Sequence, residues 1–195
     1  MDTESAIMRQ VMADAGMQET LMREALAEAR RGMEDGEVPI GAVIALLEGD
    51  SPRIVARGYN RVNALQRKTA HAEIVAFENA GAGEDGEPSL PLDARNALLV
   101  SSLEPCVMCL GAAMEAGIAA VLFGLPAPAD SGTGRMRAPD SPESAAPEVQ
   151  GKILATESRE LFREWLNRHE FDASREQRQF VEQLLQRTEE FSAAT

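Results

Sequence analysis

Cysteine is nearly absent. There are two in 195 residues, too few for a disulfide scaffold, and that scarcity suits a reducing compartment. Histidine is as scarce, again with two. No run of about 18 or more apolar residues occurs, so no membrane span is expected. The N-terminal "MDTESAIMRQ" lacks the charged-then-apolar layout of a signal peptide, and a cytoplasmic location is the default expectation. Positive charge is short as well. Nineteen Lys and Arg stand against 32 Asp and Glu, for a net charge of −13. That balance disfavours a general nucleic-acid binder, whose phosphate contacts need clustered Lys and Arg.

What is present is enough for one domain with a real core: 44% hydrophobic residues in 195, where domains run to roughly 100–200 residues. The charge is uneven. Residues 51–70, "SPRIVARGYNRVNALQRKTA", hold Arg53, Arg57, Arg61, Arg67 and Lys68 and no acid. Such a stretch is either a solvated cationic face or a collar for an anionic substrate.

Periodicity divides the chain. "QETLMREALAEARRGMEDG" (18–36) predicts an amphipathic helix with Leu21, Met22, Ala25, Leu26 and Ala29 on one face, ended by Gly32 or Gly36. "EVPIGAVIALLEG" and "PRIVARGYN" predict two strands joined as a hairpin through "EGDSP". "TAHAEIVAFENAG" (69–81) predicts a helix, Thr69 its N-cap and Gly81 its stop. "NALLVSSL", "PCVMCLGAAMEAG" and "IAAVLFG" then read as strand, helix and strand, with Pro105 in the first helical turn. That order calls for a parallel pair with a right-handed crossover. The fold class is therefore α/β, three layers around a mixed sheet. Residues 125–149 carry five of the ten prolines and read as one long loop. Two helices close the chain, and the stripe Phe180, Val181, Leu184 and Leu185 in the last is expected to pack on its own domain. The implied division is an extension over 1–17, a catalytic domain over 18–168 and a helical extension over 169–195.

Both cysteines lie in "EPCVMC", as Cys106 and Cys109. Three residues apart at a helix start, their sulfurs share one face, where the helix dipole favours thiolate. His71 completes a set of one imidazole and two thiolates, a zinc-ligand set. Three protein ligands leave the fourth place for water, as catalytic zinc sites do, and the metal lowers that water's pKa towards about 7. Other readings exist: a redox pair of Cys106 and Cys109, a structural Cys2His2 site recruiting His169, or His71 as a plain core histidine. Glu73 decides among them. It is two residues from His71, and the two side chains converge only at a helix tip. There a carboxylate beside the metal's water can take its proton and pass it to a leaving amine. His71-Ala72-Glu73 followed by Pro105-Cys106-Val107-Met108-Cys109 is the H-x-E, P-C-x-x-C signature of zinc deaminases.

On these motifs, with "EVPIGAV", "GYNR", "TAHAEI" and "LEPCVMCLGA" in the same order, the chain resembles the cytidine deaminase-like superfamily. Within it, the chain looks most like bacterial tRNA adenosine deaminases and their guanine deaminase relatives. The resemblance implies a five-stranded mixed sheet, zinc on His71, Cys106 and Cys109, and Glu73 as proton shuttle. It also implies that Asn60 and the Ala72 N–H contact the base, and that the chain forms a homodimer. Three places differ from the pattern. Lys68 replaces a proline; Gly132-Thr133-Gly134 only echoes a lysine-threonine-glycine segment; and residues 157–191 lean acidic where the tRNA enzymes are basic. The expected activity is hydrolytic deamination of a cyclic amidine with release of ammonia. A free base or nucleoside is placed ahead of a tRNA anticodon adenosine, and an inactive zinc-binding subunit is the reading of another class.

Overall fold

The computed structural model describes residues 3–48, 51–83, 87–92, 94–141, 144–169 and 173–193. Alternation along the strands sets the layers. In β1 (Gly41–Glu48), Val43, Ala45 and Leu47 enter one apolar cluster while Ala42, Ile44 and Leu46 enter another, because successive side chains point to opposite sheet faces. The first cluster packs α1 (Thr3–Ala13), α2 (Ala15–Glu34), α5 (Ala155–Arg168) and α6 (Arg175–Ala193) on one face. The second packs α3 (Ala72–Ala82) and α4 (Val107–Glu115) on the other. Between them lies a mixed five-stranded sheet in the order β2-β1-β3-β4-β5. Here β2 is Ser51–Tyr59, β3 Ala97–Leu103, β4 Ala120–Leu125 and β5 Glu148–Gln150. β1 is antiparallel to β2 and β3; β3, β4 and β5 are parallel. The three-layer architecture and the parallel crossover are as expected.

The boundaries differ in instructive ways. The first long helix starts at Ala15 rather than at residue 18, capped by Asp14, whose side chain accepts from the Met17 N–H at 3.0 Å. It runs through Gly32 and stops before Gly36, whose φ of +81° suits a left-handed helix terminus. Thr69 is not the cap of α3; His71 is. The Ala70 N–H donates to Arg67 O at 3.0 Å and the Arg61 N–H to Ala70 O at 2.9 Å, which holds residues 67–70 in a turn against the end of β2 and delays the helix. Gly81 lies inside α3, and Gly83 at φ +59° ends it. Pro105 precedes α4 instead of entering it, since Cys106 is the N-cap. The 125–149 segment is not all loop: β4 ends at Leu125 and β5 begins at Glu148. In the hairpin turn, Gly49 and Asp50 lie outside the described residues. The last helix does pack on its own domain, with Val181 and Leu184 buried and Phe180 and Leu185 packed against the same cluster. No helix among the described residues is long and apolar enough to cross a membrane.

Candidate metal centre

Two helix starts meet at one place. His71 is the N-cap of α3 and Cys106 the N-cap of α4, and neither side chain caps its own helix by a hydrogen bond. Cys109 sits one turn into α4 and is fully buried. The three ligand atoms are mutually spaced by 3.6 Å: Cys106 Sγ to His71 Nδ1, Cys109 Sγ to His71 Nδ1, and Sγ to Sγ. Zn–S bonds of about 2.3 Å and a Zn–N bond of about 2.05 Å at tetrahedral angles require edges of about 3.8 Å (S–S) and about 3.6 Å (S–N). The donor set therefore fits zinc in chemistry and in spacing. These are also the three residues that form a metal-competent group among the described residues. His169 is not with them; it ends α5, its ring 5.3 Å from that of Trp165. The purified chain is expected to carry about one zinc by elemental analysis, and His169→Ala to keep it. Loss of zinc in that variant would restore a four-ligand structural site.

Electrostatics agree with the geometry. The Cys109 thiol against it brings Cys106 down to about 4, opposed by burial and helped by His71. Cys109 is pushed up, chiefly by that same sulfur and then by burial. The hydrogen bond to Cys106 raises His71, and the charges of Glu73 and of Asp130, on the loop after β4, act in the same direction. Zinc binding displaces the protons that its ligands carry.

Glu73 lies in the first turn of α3, 3% exposed. Its Oε1 accepts from Ser101 Oγ at 3.2 Å and its Oε2 from the Cys109 thiol at 3.4 Å. Burial raises its carboxyl above the usual range, which suits a group that must hold a proton for part of a cycle. Asn60 follows β2, and its successor Arg61 is bonded to Ala70, the residue before His71. Its Nδ2 donates to Glu37 Oε2 at 3.0 Å. A carboxylate only accepts, so the amide orientation is fixed with Nδ2 towards Glu37. Ala72 is the first residue of α3, where an N–H has no intrahelical acceptor.

Among the buried acids that the sequence does not single out, two hold loops near the site. Glu37, 1% exposed, holds Asn60 and also accepts from the Asn63 and Ala64 N–H groups at 3.2 and 2.8 Å. Glu104, 7% exposed, accepts from the Ala127 N–H at 2.9 Å and from the Ser131 and Thr133 hydroxyls. One signal was available for Glu104, an acid between Leu103 and Pro105 at the end of an apolar run, since such a charge is buried only with partners. Among the basic residues of 51–70, Arg53 pairs with Glu48, Arg57 with Glu24 and Arg67 with Glu78. Three of those five cations are neutralised locally on a solvated surface.

A family model described as the cytidine and deoxycytidylate deaminase zinc-binding region matches residues 16–125. A tRNA-specific adenosine deaminase of Agrobacterium fabrum is 36% identical over 155 residues, 77% of this chain and 95% of that protein. A solved structure from work on A-to-I editing by tRNA:A34 deaminases at the wobble position is 34% identical at a TM-score of 0.58, covering 73% of this chain and 98% of that one. The guanine deaminase of Nitrosomonas europaea is 27% identical at a TM-score of 0.59, covering 75% of this chain and 83% of that one. The chain also matches longer proteins. It is 40% identical over 144 residues, 73% of its length, to a tRNA(Ile)-lysidine synthase of Deinococcus radiodurans, but spans only 23% of that protein.

Proposed function

Because the chain belongs to the cytidine and deoxycytidylate deaminase zinc-binding family, we propose that it catalyses zinc-dependent hydrolytic deamination of an amino-substituted base. Water replaces the exocyclic amine, which leaves as ammonia. The meeting of His71, Cys106, Cys109 and Glu73 at two helix starts carries this reading. Zinc, when bound, acidifies a water molecule towards a pKa of about 7 and so supplies a nucleophile near neutral pH. The chain's own groups do the rest. Glu73 takes the proton of the attacking water and delivers it to the departing nitrogen, while Ser101 Oγ holds its Oε1. Asn60, fixed by Glu37, and the Ala72 N–H orient the heterocycle.

For the substrate, the sequence alone favours a free base or nucleoside, and the relatives support the opposite order. The tRNA-specific adenosine deaminase and the tRNA:A34 deaminase structure are covered almost end to end, and we propose an adenosine in a tRNA anticodon. A small base is the second reading, supported by the likeness to a guanine deaminase and by the net charge of −13. A zinc-binding subunit without activity is disfavoured by the intact Glu73. We also propose a homodimer, on the family resemblance, and a cytoplasmic location, on two free cysteines that serve as metal ligands. Residues 18–168 would form the catalytic body, with 1–17 and 169–195 as extensions.

Ammonia release from an anticodon stem-loop, beside adenine, guanine, cytosine and pterin compounds, tests the order. The stem-loop is expected to turn over, with affinity falling on the order of 10-fold between about 50 and 200 mM salt. Salt-insensitive activity on a small base with an idle stem-loop would overturn the tRNA reading.

A further inference from the structure

Burying a carboxylate is strongly unfavourable unless its oxygens are bonded, so the partners of a buried acid show what it is there to hold. All three side-chain partners of Glu104 come from residues 127–133: the Ala127 N–H, the Ser131 hydroxyl and the Thr133 hydroxyl. The main chain repeats the attachment. The Glu104 N–H donates to Leu125 O at 2.9 Å and the Gly132 N–H to Pro105 O at 2.9 Å. Cys106 forms an isolated antiparallel bridge with Ser131. Gly132 lies so close that a Cβ there would stand 2.7 Å from the Cys106 carbonyl. This segment is therefore pressed flat on the turn that carries a metal ligand.

Its other sides are defined as well. Phe180, Leu184 and Arg187 of α6 close on residues 127–130 around a cavity of only about 30 Å³. Glu104, Ser131, Thr133 and Arg135 help to line an open cavity of about 520 Å³. The 127–133 segment is thus a wall between the C-terminal helix, the metal turn and open space, and Glu104 is what fixes it.

We propose that Glu104 is a positioning residue for the reaction, stapling residues 127–133 onto the metal-ligand turn so that they form a fixed wall for the substrate. The inference rests on the deaminase reading, because a wall matters only where a substrate is held.

Glu104→Ala leaves the loop unanchored and carries a risk of misfolding, so the decisive variants lie on the loop. Ser131→Ala with Thr133→Val removes both hydroxyls at nearly constant volume, and Thr133→Ser alone keeps both. With kinetics measured on the best substrate, the double variant is expected to raise KM about 10-fold with kcat within about 2-fold. Its zinc content should be normal, and Thr133→Ser alone should resemble the wild type. Hydrogen–deuterium exchange at the Ala127 and Gly132 amides is expected to rise in the double variant. Unchanged exchange overturns the staple. Raised exchange with unchanged KM overturns the positioning role, as does a Thr133→Ser variant as impaired as the double one. If the wild type deaminates nothing, the functional reading fails by itself, while exchange still decides the staple.

Discussion

Glu73→Ala is expected to keep its zinc and to lose turnover by about 10²–10⁴-fold, the usual contribution of a positioned acid–base group. The side chain is buried in the first turn of α3 and touches Ser101 and Cys109 rather than completing the ligand set. Removing it leaves His71, Cys106 and Cys109 in place. Glu73→Gln sharpens the test, because the amide keeps the shape and the Ser101 contact but carries no titrating proton. Zinc by elemental analysis, melting temperature and initial rates should be measured on one preparation. A variant that is zinc-replete and normally active sinks the proposed proton route. A variant that has lost its metal instead makes Glu73 a structural support of the ligands.

The second large effect is expected at a residue with no chemistry. A Cβ on Gly58 would lie 2.4 Å from Ala72 O and 2.5 Å from Ala76 N, backbone atoms of the helix that begins at the metal. Backbone gives way far less than a side chain, so Gly58→Ala must push α3 off β2. The expected cost is about 3 kcal/mol of stability, at the upper end for overpacking. A shift of about 1 Å in catalytic groups costs about 10²-fold in rate, and His71 and Glu73 ride on that helix. The control is Gly81→Ala in the same helix, where nothing lies within 4 Å of the added carbon and a gain of up to about 1 kcal/mol is expected. Denaturant midpoints and zinc retention check both. A Gly58→Ala protein with a wild-type midpoint and rate would show that the helix seats elsewhere.

The metal set was legible because its information is local. His71 with Glu73, and Cys106 with Cys109, are pairs within one helical turn, and each needs only a helix start to converge. The layers were legible from the order strand, helix, strand between Asn96 and Gly124, which calls for a parallel crossover. Partnerships across the fold were not. Glu37 looks like one more solvated acid in "MEDGEVP" until the Asn60 amide, 23 positions away, is seen on it. Glu104 finds its loop partners 23 to 29 positions on, in a proline-rich stretch whose course has no periodicity to read. The three-residue β5 is too short for alternation to show. The cap falls two residues after Thr69, because the chain enters the helix at His71, whose side chain is directed to the cysteines instead of capping the helix.

That last substitution of purpose has a cost. Helix starts ordinarily carry Ser, Thr, Asp or Asn, and a good cap is worth about 1 kcal/mol over alanine. Positions 71 and 106 forgo it at both helices, since neither side chain makes a capping hydrogen bond. A serine at 106 or an asparagine at 71 would suit the local backbone better and the metal worse. Mutational drift that improves stability at these two positions therefore runs directly against metal binding. A zinc ion held by His71, Cys106 and Cys109 would tie the starts of both helices, two separate segments of the chain, at a single point.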